Sequence, residues 1–225
     1  MTHETDSPVP GTIVHHSPAS SGRYVGCPSI VVMPSGDLVA SHSYFGPNTS
    51  QRESFIYTSS DRGAHWQRIA ALEGQIWSKL FLHQGRLYVF GTDQCDRVGD
   101  RLGGTVVIRR SEDGGRTWSE PDAPQRGLLT DEPGYHTAAV PVVHHRGRVW
   151  KAFEYAAVEH RTGWQTLVLS APADGDLLDR ANWTFSERIG SWPSWQWIEG
   201  NVVVAPDGEL VILSRANDLA HKTEW

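Results

Sequence analysis

The sequence predicts an all-β chain built as a β-propeller of four-stranded blades, with about four blades present. Three observations predict it. The 225 residues include 22 Gly, 13 Pro and 10 Trp against 2 Met, which suits many short strands joined by tight turns and does not suit long helices. Four apolar runs each fold back on a glycine, at Gly36, Gly85, Gly147 and Gly208, spaced by 49, 62 and 61 positions. That period fits a four-stranded blade and is too long for a lone hairpin. A turn signature, Ser-x-Asp-x-Gly-x-x-Trp, recurs at Ser59, Asp61, Gly63, Trp66 and at Ser111, Asp113, Gly115, Trp118. It falls at the same place in two successive repeats.

The elements follow in order. Residues 1–22 read as an N-terminal leader, and 23–225 as the propeller domain, incomplete at the C-terminus. The inner hairpins are Ser29–Ala40, Leu80–Phe90, Val140–Trp150 and Val202–Leu213. Their runs are apolar almost throughout, so the strands are expected to be covered on both faces. Outer strands follow at Phe55–Thr58, Thr105–Ile108 and Thr166–Leu169, each leading to a segment bearing Trp66, Trp118 or Trp183. Cys95–Gly104 reads as a surface loop, and an insertion at Ser170–Asp174 departs from the turn signature in the third repeat. In the turns, the Asp carboxylate is expected to accept backbone N–H groups and the Gly to take a left-handed conformation. The Trp would pack between neighbouring sheets. Four blades leave the edge of the first unpaired, so a larger ring, or closure by a partner chain, is expected.

Composition removes several classes of function. Twenty Lys plus Arg against 26 Asp plus Glu give a net charge of −6 and a pI near 6.0. This argues against a nucleic-acid binder, which needs a basic face. No apolar window reaches membrane-spanning length. The start, Met1–Asp6, is polar and is not a signal peptide, so the chain as given is expected in the cytoplasm; a missing leader would place it in the periplasm or outside the cell. Two cysteines, Cys27 and Cys95, make neither a disulfide framework nor a metal site, and no cofactor is expected.

A site is expected where the first strand of each blade starts and the second ends, because antiparallel return brings these to one mouth. Counting offsets from the four glycines gives Cys27, Pro28 and His42; Trp77, Lys79 and Thr92; Tyr135, His136, Glu154 and Tyr155; and Glu199, Asn201 and Arg215. Burial would not choose such residues for strand ends. His42 and His136 are the candidate proton-transfer groups, since imidazole titrates near neutrality; both are equally compatible with structural roles. Lys79, Tyr135, Glu154, Tyr155, Glu199, Asn201 and Arg215 are candidate substrate-binding residues, with a Glu199–Arg215 ion pair as the alternative use of those two. His144 and His145 fall at the opposite hairpin end, and His15 and His16 in the leader. Trp192, Trp195 and Trp197 suit either sugar stacking or blade packing.

The recurring turn resembles the Asp box, or BNR repeat, of sialidase-like β-propellers, which have six or seven blades. There it is structural and lies away from the active site. True sialidases carry an Arg-Ile-Pro motif in the first blade; here Gly26 stands in Gly26-Cys27-Pro28-Ser29-Ile30, where the Arg would be. The chain looks more like a seven-bladed branch that contains α-L-rhamnosidases acting on rhamnose–glucuronic acid linkages and lyases of rhamnose–uronic acid polymers. The similar segments are Tyr24–Ile30, Pro34–His42, Gly134–Val143 and Trp197–Asn201. The resemblance implies a glycoside hydrolase acting on an oligo- or polysaccharide, with a rim histidine at the position of His42. An exo-α-sialidase, a polysaccharide lyase and a non-catalytic glycan-binding propeller are the alternatives.

Overall fold

A computed structural model describes residues 11–93, 103–156, 164–190 and 195–218. Cys95, Trp192 and Trp225 lie outside them, as does most of the expected Cys95–Gly104 loop. The architecture is all-β and consists of consecutive antiparallel blades. Blade 1 contains β1 (Tyr24–Val32), β2 (Leu38–Phe45), β3 (Glu53–Ser59) and β4 (Gln67–Glu73), paired in that order. Blade 2 contains β5 (Ile76–His83), β6 (Arg86–Thr92) and β7 (Val106–Ser111). In blade 3 both β8 (Tyr135–His136) and β9 (Val143–His145) pair with β10 (Arg148–Ala156), which pairs with β11 (Trp164–Pro172) and then β12 (Thr184–Phe185). Blade 4 is the hairpin of β13 (Trp195–Val204) and β14 (Leu210–Asp218).

Local chemistry explains the hairpins. Gln84-Gly85 and Arg146-Gly147 each place two successive residues at positive φ, 48° and 75° in one and 48° and 70° in the other. This is the two-residue turn whose twist matches that of the flanking strands. The glycine removes one of the two Cβ penalties.

The two recurring turns share one set of hydrogen bonds. The Ser59 hydroxyl donates to Asp61 (2.8 Å) and accepts from Gly63 N–H (2.9 Å). Ser111 does the same with Asp113 (2.9 Å) and Gly115 N–H (2.8 Å). Asp113 also accepts from Thr117 N–H at 2.9 Å and from the Thr117 hydroxyl at 2.7 Å. These donors favour the charged carboxylate and hold Asp113 below the usual carboxylate range, the Thr117 backbone bond being the largest cause. Trp118 Nε1 donates to the Gly115 carbonyl (2.9 Å), and its ring packs on the blade 1–blade 2 core of Ile56, Leu72, Leu80 and Leu87. Trp183 repeats the device through a longer turn: Nε1 donates to Leu177 O (2.9 Å), and the ring lies 5.0 Å from Phe90 in the blade 2–blade 3 core. The insertion therefore lengthens the turn and leaves the tryptophan's function unchanged.

Asp113→Ala removes several acceptors from one turn. It is expected to lower the melting temperature by roughly 2–8 °C, as a loss of one to two kcal/mol does in a domain of this size. A thermal melt by circular dichroism checks this.

Beside Trp66 there is no preceding blade among the described residues, and the leader takes that place. Val14 packs with Trp66 against Tyr44, Phe55 and Tyr57. The Thr12 hydroxyl donates to Gly63 O, and His15 Nε2 is hydrogen-bonded to the Tyr44 hydroxyl. The blades form a partial propeller. Apolar side chains stay exposed on its first and last blades: Ile30 (53%) and Val32 (62%) on β1, and Leu213 (59%) on β14.

Candidate active site

The first strand of three blades breaks register at the same place. The shifts lie between Gly26 and Ser29, between Ile76 and Lys79, and between Ile198 and Asn201. At each one a non-glycine residue is left-handed: Cys27 (φ 53°), Trp77 (φ 50°) and Glu199 (φ 56°). Such bulges re-aim side chains and cost about 1–3 kcal/mol each in backbone strain, so the surrounding sheet must over-determine them. In blade 2 the partner strand accommodates the bulge at Gly91. A Cβ there would lie 2.1 Å from Ser78 Oγ and 2.6 Å from the Ile76 carbonyl.

Blade 3 reaches the same place by a different route. Between the pairs His136↔Glu154 and Val143↔Trp150, residues 137–142 face only 151–153 of β10. The surplus chain turns inward.

These four irregularities line one cavity of about 600 Å³, within the range of small-ligand sites. Cys27 and Pro28 come from blade 1 and Trp77 from blade 2; His136 and Ala138–Val140 come from blade 3, and Glu199 and Asn201 from blade 4. The His136 ring lies 5.5 Å from Trp77 and 5.3 Å from Trp164. Its Nδ1 is 3.1 Å from Glu154 Oε2, and the other Glu154 oxygen accepts Gly200 N–H at 2.8 Å. Glu154 is fully buried, so it orients His136 and ties blade 3 to blade 4. With Nδ1 engaged, Nε2 is the nitrogen left to meet a ligand. Trp77 Nε1 and Asn201 Oδ1 are buried without a hydrogen-bond partner among the described residues. Buried polar atoms are normally satisfied, so these two are exceptions beside the cavity.

The other expected site residues divide. Arg215 Nη1 donates to Glu199 Oε2 at 2.7 Å in an exposed pair beside the cavity. Lys79 is half-buried, and burial lowers its pKa. Thr92 is fully buried. Tyr135 and Tyr155 are buried at 4% and 5% exposure, in the core between blades 2 and 3, and are not on an open rim. Burial raises the Tyr135 pKa. The Tyr155 hydroxyl donates to Glu132 (3.4 Å), and the Arg188 guanidinium lies 3.4 Å from the Tyr155 ring centre.

The expectation that His42 and His136 share one cavity is corrected. His42 is 5% exposed and lines a separate pocket of about 290 Å³ with His15, Val25 and Ile30. Its ring stacks on His15 at 4.7 Å, and Nε2 is 3.1 Å from the Tyr57 hydroxyl. The reason is alternation: His42 and Tyr44 point to one face of β2, toward the leader, while Ser41 and Ser43 point to the other. Desolvation pushes the His42 pKa down to about 4, so at neutral pH it is an uncharged, poor proton donor. His15, set aside as leader, is its packing partner.

Sequence reasoning missed Lys151, Arg188 and Glu132. Only Lys151 had a signal, as one charge inside the apolar run Val149-Trp150-Lys151-Ala152-Phe153. Among the described residues no group of three or more His, Cys, Asp or Glu could hold a metal ion, and no helix is long and apolar enough to cross a membrane.

No family model and no curated protein matches the chain in sequence. Solved structures do match in fold. The Penicillium chrysogenum α-L-arabinanase complexed with arabinobiose superposes with a TM-score of 0.58 at 17% identity, over 88% of this chain and 60% of that one. The Lactobacillus brevis α-L-arabinofuranosidase gives 0.58 at 15% identity, over 92% and 71%. The Trypanosoma rangeli sialidase gives 0.52 at 17%, over 83% and 28%. The chain thus spans about three fifths of the arabinanase. The shared property is the β-propeller fold, here partial.

Proposed function

We propose that this chain forms the funnel of a glycan-cleaving β-propeller enzyme, with His136 as the proton-transfer residue. One observation carries the reading. Left-handed bulge residues from blades 1, 2 and 4, and the inward turn of blade 3, converge on one cavity lined by an oriented imidazole and an indole. Strained backbone concentrates at functional sites, and stacking on Trp77 suits the apolar face of a sugar ring.

In hydrolysis, Glu154 would steady the His136 imidazolium, whose Nε2–H would give its proton to the leaving glycosidic oxygen as that C–O bond breaks; water would add at the anomeric carbon and release a proton to solvent, from which His136 is reprotonated. Asn201 and Glu199 would hold sugar hydroxyls. A rhamnose–glucuronic acid linkage is the proposed substrate. It is supported by position: the segments Tyr24–Ile30, Gly134–Val143 and Trp197–Asn201, which carry the resemblance to the rhamnosidase and lyase branch, supply all the cavity residues except Trp77. Arg215 would neutralise the uronate carboxylate. The structures similar in fold include an α-L-arabinanase complexed with arabinobiose and a sialidase, so arabinobiose and a sialoside belong in the same panel.

The test is incubation with a rhamnosyl-glucuronate disaccharide, arabinobiose and a sialoside, following reducing ends and ultraviolet absorbance together. New reducing ends without absorbance from the first substrate support the proposal. Absorbance of an unsaturated uronate would replace hydrolysis by elimination, and no product from any glycan would overturn the reading.

A further inference from the structure

Lys151 is fully buried in the middle of β10, with none of its side chain at the surface. Its surroundings account for it. Residues 137–142 outnumber the three β10 residues they face, so their carbonyls cannot all reach ladder donors. The Thr137 hydroxyl donates to Ala152 O (3.0 Å), joining the start of the detour to β10. Lys151 Nζ donates to Ala138 O at 3.2 Å and to Val140 O at 3.3 Å. Ala138, Ala139 and Val140 are the blade 3 wall of the funnel. An apolar residue at this position would fill the core and leave two carbonyls unpaired. Lysine places an ammonium there in spite of the desolvation cost.

We propose that Lys151 is a positioning residue, whose ammonium ties the Ala138 and Val140 carbonyls and so sets the shape of the funnel wall against which a saccharide packs. Its effect on saccharide binding rests on the funnel reading above; its effect on the wall does not.

The groups that act on this ammonium come from several elements. Glu154 on β10 and Cys27 on β1 favour the charged form; Lys79 on β5 opposes it; the Phe153 ring lies 5.4 Å away. Desolvation is the largest cause, and the pKa is brought down to about 7. Lys151 is therefore charged in mild acid and neutral in mild alkali. The ties to both carbonyls weaken as pH rises through neutrality, since hydrogen bonds from a charged donor are the stronger ones.

The experiment uses the full chain with 13C-methyl alanine, recorded from pH 6 to pH 9 for the wild type, Lys151→Arg and Lys151→Met. The Ala138 and Ala139 methyl signals are expected to titrate together in the wild type; the part that follows protonation of His136, which lines the same cavity, persists in Lys151→Arg, and the part due to Lys151 disappears there because arginine's charge does not titrate. In Lys151→Met they should move or broaden at every pH. Methyl signals in the wild type that do not move between pH 6 and pH 9, or that move equally in Lys151→Arg, overturn the proposal even if Lys151→Met fails to fold.

Calorimetric titration with the rhamnosyl-glucuronate disaccharide adds the second readout. Wild-type affinity should weaken by about tenfold more from pH 6 to pH 9 than that of Lys151→Arg, which keeps the wall tied at every pH and retains only the dependence that His136 supplies. Titrating methyls with no disaccharide binding at any pH would uphold the wall and sink the funnel reading. Binding whose pH dependence is the same in both proteins would sink the positioning role alone.

Discussion

His136→Ala is expected to lower glycan turnover by at least about a hundredfold, the usual scale for losing a general acid or base. The residue lies on the two-residue strand β8, is held by a wholly buried carboxylate, and faces a cavity lined by all four blades. Alanine removes the proton-transfer group and leaves the sheet pairing intact, but it also strips the buried Glu154 carboxylate of a partner, so the melting temperature should fall as well and the rate is compared per folded molecule. Glu154→Gln should cost less in rate, about tenfold, because the amide can still bond Nδ1 but no longer supplies a charge to steady the imidazolium. His42→Ala should show the opposite balance, lowering the melting temperature while each folded molecule keeps nearly its full rate. Steady-state kinetics and thermal melts on the three variants read both quantities. Activity lost at His42 and kept at His136 would move the chemistry to the other pocket.

The second large effect is on stability in acid. Burial holds His42 near a pKa of about 4 and also lowers those of His15, His83 and His144. For a histidine shifted in this direction the stabilising contribution is complete above the unfolded value of about 6.5, and it is lost as pH falls toward the folded value. In that window the unfolded chain binds the proton and the folded chain does not. Each such group lowers stability by up to about 1.4 kcal/mol per pH unit. His42 should dominate, since it is lowered furthest of the four, and His15 and His144 are also more open to solvent, where such effects are screened. Melting temperature should therefore fall steadily from pH 6.5 to pH 4.5. His42→Phe, which keeps the stack on Phe55 and loses the titrating ring, should flatten that slope at some cost in stability at neutral pH. An unchanged slope in the variant would remove His42 from this account.

The hairpins and the two Ser-x-Asp-x-Gly-x-x-Trp turns were legible because each depends on residues with narrow conformational uses: a glycine at positive φ, and an Asp with several N–H donors in reach. The Trp183 turn was half legible, since the tryptophan does the same work although the serine and aspartate spacing is lost. The bulges were illegible. Cys27, Trp77 and Glu199 take left-handed backbone without being glycine, so nothing in the residue type announces it. That is also why counting offsets from the hairpins succeeded for His136, Glu199 and Asn201 and failed for His42. His42 lies opposite the blade 1 bulge, on the strand that keeps its register, and regular alternation turns it to the outer face. Tyr135, Glu154 and Tyr155 failed for another reason. Their polar atoms suggested solvent, but Arg188, Glu132, His136 and Gly200 N–H satisfy them inside the fold, and those partners come from elsewhere in the chain.

The repeated bulge has a consequence for how such a site can be altered. Its side chains project from backbone that is already distorted, and the hydrophobic layers between blades lie beneath and are built from other residues. Exchanging Cys27, Trp77 or Glu199 therefore rewrites one blade's share of the funnel at a time, with little disturbance to the packing that holds the blades together. Selectivity can be changed in this scaffold blade by blade, as independent dials and not as a single lock. A combinatorial library at these three positions should retain folded members far more often than one of equal size drawn from β2, β6 or β10.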